Sequence, residues 1–299
     1  MAQMEHQFIH TNGIWLHTVT AGPQGGPLIV FLHGFPEMGY AWQKHMAYFA
    51  QQGYRVLTPD QRGYNLSDRP NTLAAYRVDE LAADIAGLVR ASGREKAVIV
   101  GHDWGGVVAW HVAGKYPELV ERLVIINAPK TDVYREYLRT HPRQLLRSLY
   151  VLYFQIPRLP EAQFRPLGWL ALRLSLRNSS RGGTFSADDL RVYRAAWSKP
   201  GAMTAMLNWY RAALRFPAAP LKNPYIQPPT LIVWGKKDAF LSPQLARASL
   251  DHCTQGKLVM FNEATHWVQH EERAQVNALI HAFLTPDKAT SSSSSAALG

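Results

Sequence analysis

Cysteine is almost missing from this chain: Cys253 is the single one in 299 residues. That excludes an intrachain disulfide and a cysteine-ligated metal cluster, and it suits a reducing compartment. Cys253 lies outside every motif described below and reads as a packing residue. Long apolar runs are missing too. No stretch approaches the roughly 18 residues needed to cross a bilayer, and Met1 to Gln7 lack the basic stretch and apolar core of a secretory leader. The expectation is a soluble, cytoplasmic protein with no integral membrane segment. No internal repeat is present. Acidic residues are scarce in one region only: residues 130–225 carry 16 Lys and Arg against 5 Asp and Glu, while residues 1–129 (10 against 11) and 226–299 (6 against 6) are balanced. The net charge of +10 therefore comes from the middle of the chain. Such a surface would draw an anionic membrane face or nucleic acid. No nucleic-acid-binding signature accompanies it, and a solvated, arginine-rich helical face is the preferred reading.

What is plentiful is apolar material, 47% of the residues, enough for one large core or two smaller ones. The most informative stretch is Gly101-His102-Asp103-Trp104-Gly105-Gly106. It follows the apolar run Ala97 to Val100 and precedes Val107 to Val112, so the pattern is strand, sharp turn, helix, the context of a nucleophile elbow. Glycines at 101 and 105 let the helix approach the strand while the central residue takes a strained conformation. The plain alternative is that Asp103 only caps the helix. A carboxylate, with a reference pKa of about 3.9, is already a nucleophile at neutral pH and needs no general base. Attack on an sp³ carbon gives an alkyl ester that water can cleave, whereas serine would leave an ether. Attack on an ester or amide would give a strained anhydride. Aspartate at this point favours alkyl transfer over esterase chemistry.

In chain order, Phe8 to Val19 reads as a hairpin turned at Asn12-Gly13, and Pro27 to Leu32 as a strand buried on both faces. The loop His33-Gly34-Phe35-Pro36-Glu37 follows directly, tight enough to leave amide N–H groups free for a ligand. A helix over Ala41–Gln52, a strand at Arg55–Thr58, an amphipathic helix over Tyr76–Ala91 and a buried strand at Leu123–Ile126 continue the alternation. From Pro129 it breaks. Residues 130–225 hold no convincing strand but helix-like stretches at Asp132–Arg139, Arg143–Phe154, Trp169–Leu176, Ala187–Trp197 and Met203–Leu214. Alternation resumes with a strand at Thr230–Trp234, a helix at Pro243–Leu250, a strand at Leu258–Phe261 and a closing helix over Glu271–Leu284. The fold class is α/β: a doubly wound, largely parallel sheet with an all-helical insertion. The segments are 1–129 (core), 130–225 (helical), 226–288 (core) and 289–299, a low-complexity tail expected to be disordered.

An ester on Asp103 needs an activated water, hence a histidine and a carboxylate to orient it. Asp238 stands just past one strand and His266 just past the next, in the order nucleophile, acid, histidine. All three sit at carboxyl ends of strands, where open α/β sheets gather functional groups.

The stretches His33 to Pro36, Asp60-Gln61-Arg62-Gly63-Tyr64, Gly101 to Gly106, Gly235 to Asp238 and Thr265-His266-Trp267 resemble, in order, the signature set of α/β-hydrolase-fold epoxide hydrolases. The resemblance runs from about Phe8 to Leu284. It implies a catalytic core of Asp103, Asp238 and His266 under a helical cap, and two cap tyrosines that bond the epoxide oxygen. The matching segments give Tyr150 and Tyr210, with Tyr153, three residues from Tyr150 and nearly on the same face, as the alternative. Backbone N–H groups of Phe35 and Trp104 would hold the oxyanion. Glu37 would order the water, or be a surface loop acid. The expected reaction turns an apolar epoxide into a vicinal diol with no metal or organic cofactor. Haloalkane dehalogenases are similar and use the same nucleophile, but many carry asparagine where this chain has Phe35; Trp104 is common to both. A binding protein on a hydrolase scaffold is a third possibility, disfavoured by the intact Asp/His/Asp set. Trp42, Trp104, Trp169 and Trp209 suggest an apolar pocket. The reading allows a homo-oligomer and includes no nucleic-acid partner.

Overall fold

The computed structural model describes residues 3–285; the tail at 289–299 lies outside that range. Eight strands form one sheet in the order β1-β2-β4-β3-β5-β6-β7-β8. The chain opens with an antiparallel hairpin, β1 (Glu5–Thr11) and β2 (Ile14–Ala21), whose turn residues Asn12 and Gly13 both have positive φ, as an Asn-Gly turn requires. β2 pairs antiparallel with β4 (Arg55–Pro59). From there β4, β3 (Leu28–Leu32), β5 (Ala97–His102), β6 (Val120–Ile126), β7 (Thr230–Gly235) and β8 (Gly256–Phe261) pair parallel.

The continuous apolar strands are explained by helices on both faces. Leu28, Val30 and Leu32 of β3 enter a core shared with α2 (Val78–Ala91), α3 (Trp104–Lys115) and α11 (Gln244–Leu250). Ile29 and Phe31 enter the opposite core, against α1 (Gln43–Gln51) and α13 (Arg273–Leu284). Each fully buried side chain of this size contributes about 1.5–3 kcal/mol. The chain leaves β3 for β4 on one side and returns to β5 on the other. The loops after β3 and β5 therefore diverge at the ends of two neighbouring strands, the crevice in which such sheets bind ligands.

Between β6 and β7 the described residues hold seven helices: α4 (Thr131–Thr140), α5 (Pro142–Arg147), α6 (Leu149–Tyr153), α7 (Leu159–Phe164), α8 (Pro166–Asn178), α9 (Ala187–Trp197) and α10 (Ala202–Arg215). The block is tied to the crevice loops. Tyr193 donates to Glu37 Oε1 at 2.7 Å, Trp197 Nε1 to the carbonyl of Pro36 at 2.6 Å, and Trp209 Nε1 to that of Arg62 at 3.0 Å. The single helix expected over Arg143–Phe154 is two. Ser148 Oγ donates back to the carbonyl of Gln144 at 2.9 Å, and Ser148 leaves helical geometry, the local competition that interrupts helices at serine. Helix α7 was not legible beside Pro157 and Pro160, although proline is tolerated in a first turn. The closing helix expected from Glu271 runs as α13 (Arg273–Leu284), with a separate short helix before it, α12 (Val268–Glu271).

Candidate active site

Asp103 adopts φ 52° and ψ −122° between β5 and α3. The conformation is costly for a residue with a Cβ, and close packing around it enforces it. A Cβ added to Gly101 would stand 2.3 Å from the carbonyl of Gly105, and one on Gly105 would stand 2.2 Å from that of Leu32. The Asp103 side chain does not cap α3, so the plain N-cap alternative is removed. Its Oδ1 instead accepts the backbone N–H of Phe35 at 2.8 Å, while Oδ2 lies 3.6 Å from His266 Nε2. The carboxylate is 18% exposed, open to a cavity above it.

His266, 2% exposed, stands between two carboxylates. Its Nδ1 is 2.8 Å from Asp238 Oδ2. Asp238 is fixed in turn: Oδ2 also accepts from Asn127 Nδ2 at 2.7 Å, and Oδ1 accepts the N–H groups of Phe240 and Leu241 at 2.8 and 3.0 Å. Burial alone would depress the imidazole's proton affinity. The charges of Asp238 and Asp103 and their hydrogen bonds overcome that and raise its pKa to about 10. Both carboxylates thus favour the protonated form of His266. Burial acts to raise the Asp103 pKa, but the hydrogen bond and charge of His266, with the Phe35 N–H, hold it below the usual carboxylate value.

A second buried group adjoins the first. Glu37 is 2% exposed, which excludes the surface-acid alternative. Its Oε1 accepts from Tyr193 and from His270 Nε2, both at 2.7 Å, and its Oε2 lies 3.6 Å from His102 Nδ1. Against the cost of burial, the neighbouring histidines hold Glu37 well below the ordinary carboxylate range. His102 in turn reaches the carbonyl of His266 through Nε2 at 2.9 Å.

A cavity of about 300 Å³ over Asp103 is lined by Phe35, Tyr150, Phe154, Tyr210, Phe240 and His266, among others. A second, of about 160 Å³, meets the same Asp103, Tyr150 and Tyr210 from the side of Trp104, Val107, Tyr134 and Leu241. Burial, reinforced by the charge of Asp103, pushes both the Tyr150 and Tyr210 hydroxyls well above their ordinary pKa, so both remain protonated donors. Their rings are 6.0 Å apart, and Tyr210 also meets Trp104 and Phe35 edge-on at 5.0 and 5.4 Å. Tyr153 lines the larger cavity too, but its hydroxyl donates to Gln163.

Of the four tryptophans expected around a pocket, only Trp104 lines either of these cavities. Trp42 is buried in the core on the far face of the sheet, Trp169 donates to Ser198, and Trp209 is held by Arg62. Phenylalanines take their place. Asn127 was not singled out from the sequence, yet its amide bridges Asp238 and the N–H of Gly235, at 2.7 and 3.0 Å. An asparagine ending a buried strand, a position that favours positive φ (44° here), was the available signal. Among the described residues no group of three His, Cys, Asp or Glu is placed to hold a metal ion.

The alpha/beta hydrolase fold family model matches residues 27–273. Over 278 residues the chain is 47% identical to the AB hydrolase superfamily protein YfhM of Bacillus subtilis, covering 93% of this chain and 97% of that one. It is 39% identical over 282 residues to epoxide hydrolase 4 of Mus musculus, with coverage of 92% and 78%. Among solved structures, that of the Bacillus megaterium epoxide hydrolase in complex with an inhibitor matches with a TM-score of 0.86 at 30% identity, over 93% of this chain and 99% of the other. With the sheet, the elbow and this extent of likeness together, the chain belongs to the α/β-hydrolase family, as an enzyme of the group that contains these epoxide hydrolases.

Proposed function

We propose that this enzyme hydrolyses apolar epoxides to vicinal diols through a covalent ester on Asp103, with the helical block as a cap over the site. The observation that carries the reading is the disposition of Asp103: one oxygen on a backbone donor, the other beside His266, under two tyrosines that remain protonated. With Oδ1 engaged by Phe35, Oδ2 is the nucleophile. It bonds to an epoxide carbon as the C–O bond breaks, and the departing alkoxide takes a proton from Tyr150 or Tyr210. Alkoxide is a far poorer leaving group than halide, and two such donors suit it.

Esterification also removes the charge of Asp103, one of the two that hold the proton on His266. That proton restores the tyrosine, leaving a neutral imidazole. The imidazole, oriented by Asp238, takes a proton from water as the hydroxide adds to the Asp103 carbonyl carbon. The N–H of Phe35, joined by that of Trp104, bears the oxyanion. Collapse expels the diol, whose oxygen takes the remaining proton, and Asp103 and His266 return to carboxylate and imidazolium. One water is consumed. The relatives named as epoxide hydrolases support the substrate class.

Incubation with aryl, terminal and trans-disubstituted epoxides, and with haloalkanes in parallel, tests the reading. Diol from at least one epoxide without halide release is expected. Halide release with no diol would assign the same Asp103 to dehalogenation.

A further inference from the structure

The outer face of the helical block carries, beside the exposed arginines that its charge suggested, a set of exposed aliphatic side chains. Leu145, Leu146, Leu149, Leu152, Ile156 and Leu159 are 41% to 65% exposed. Leu145, Leu149, Leu152 and Ile156 follow one another at steps of four, three and four across α5, α6 and the turn after it, the spacing of a helical stripe in the sequence. That periodicity ordinarily marks a buried stripe; here it is at the surface. Arg139, Arg143, Arg147 and Arg158, all exposed, are interleaved with it. The ion pairs of the block use Lys130, Arg181, Arg191 and Arg211 instead, so among the described residues these four arginines are left without acidic partners.

Aliphatic side chains flanked by free arginines on short helices have the composition of an in-plane, interfacial helix. Charge selects the occupant. A second copy of the chain would bring arginine against arginine, and nucleic acid offers nothing to a row of leucines. An anionic bilayer satisfies both, with phosphates for the guanidinium groups and acyl chains for the leucines. The opposite face of the same segment lines the active-site cavity through Tyr150, Tyr153, Phe154 and Phe164.

We propose that α5, α6 and the turn to α7 dock on an anionic lipid bilayer, so that the roof of the active site rests on the membrane. An apolar substrate dissolved in lipid would then reach the cavity without crossing bulk water. The docking itself does not depend on the reaction proposed above, and its readout is sedimentation rather than turnover.

The full chain is mixed with phosphatidylcholine vesicles, with or without about one-third phosphatidylglycerol, and spun. Co-sedimentation with the anionic vesicles that weakens as salt is raised is expected. Arg143→Gln/Arg147→Gln and Leu145→Ser/Leu146→Ser should each weaken partition on the order of tenfold or more. Both double variants should keep the wild-type rate on a water-soluble epoxide, since none of the four residues lines the cavity. Absence of binding at low salt, or binding that neither double variant reduces, would overturn the proposal. So would a dimer seen by light scattering that the leucine variant dissociates, which would assign the face to a second copy.

Discussion

Replacing Tyr150 or Tyr210 by phenylalanine removes one hydroxyl and leaves the ring. Tyr210 would keep its edge contacts with Trp104 and Phe35 at 5.0 and 5.4 Å, and Tyr150 its contact with Phe154 at 5.5 Å. Stability should therefore barely change, and the effect should fall on chemistry. Each hydroxyl is kept protonated by burial and the adjacent Asp103 charge, so each is a donor awaiting an anion. A hydrogen bond to a charged group is worth about 1.5–3 kcal/mol. At roughly 1.4 kcal/mol per decade this predicts a fall in kcat/KM of about 10- to 150-fold for either single variant. The double variant should lose more than the product of the two, because the alkoxide then has no donor. Tyr153→Phe should behave as wild type, its hydroxyl being engaged by Gln163. The assay is single-turnover alkylation and steady-state kinetics on one soluble epoxide, with thermal melts as the folding control. Wild-type rates in Tyr150→Phe, or a loss in Tyr153→Phe instead, would refute the assignment of the donors.

Other consequences follow from the same geometry. His266 has its pKa raised to about 10 in the folded protein, against about 6.5 when unfolded. Its contribution to stability is complete below about pH 6.5 and lost as pH rises through 10. The melting temperature of wild type should accordingly fall more steeply between those limits than that of His266→Gln; parallel curves would contradict the charged resting state. Asn127→Ala removes the bonds to Asp238 and to the N–H of Gly235 and leaves alanine at φ 44°. An orphaned donor and a left-handed alanine together should cost about 2–5 kcal/mol in denaturant unfolding and slow ester hydrolysis more than alkylation. Arg62 and Asp84 form a buried pair at 2.6 Å, and Arg62→Met should destabilise by about 3–5 kcal/mol by leaving the carboxylate uncompensated; an unchanged denaturation midpoint would refute that.

The three candidate residues Asp103, Asp238 and His266 could be grouped from the sequence because strand ends are legible. A run such as Leu28 to Leu32 is apolar at every position only when both faces are covered, and Asp103 after β5, Asp238 after β7 and His266 after the half-buried outer strand β8 follow parallel strands and so share one end of the sheet. Other features depended on which face a side chain occupies. Trp42 and Trp104 look alike in sequence, yet one packs under the sheet and the other lines a cavity. Glu37 could not be distinguished from a loop acid because its partners Tyr193 and His270 are 156 and 233 residues away. Asn127 likewise acts on a carboxylate 111 residues further on. The leucines of α5 and α6 carry the periodicity of a core stripe, and only the three-dimensional arrangement reveals that, among the described residues, they stand half-exposed at the surface.

The claim on which the mechanism turns is that Asp103 becomes alkylated and is then released by water attack on its own carbonyl carbon. A single turnover of wild-type enzyme, in excess over epoxide, in ¹⁸O-water tests it most directly. The account predicts label in the Asp103 carboxylate and an unlabelled diol. Label in the diol with none in Asp103 would mean that water attacks the epoxide itself, and would contradict it.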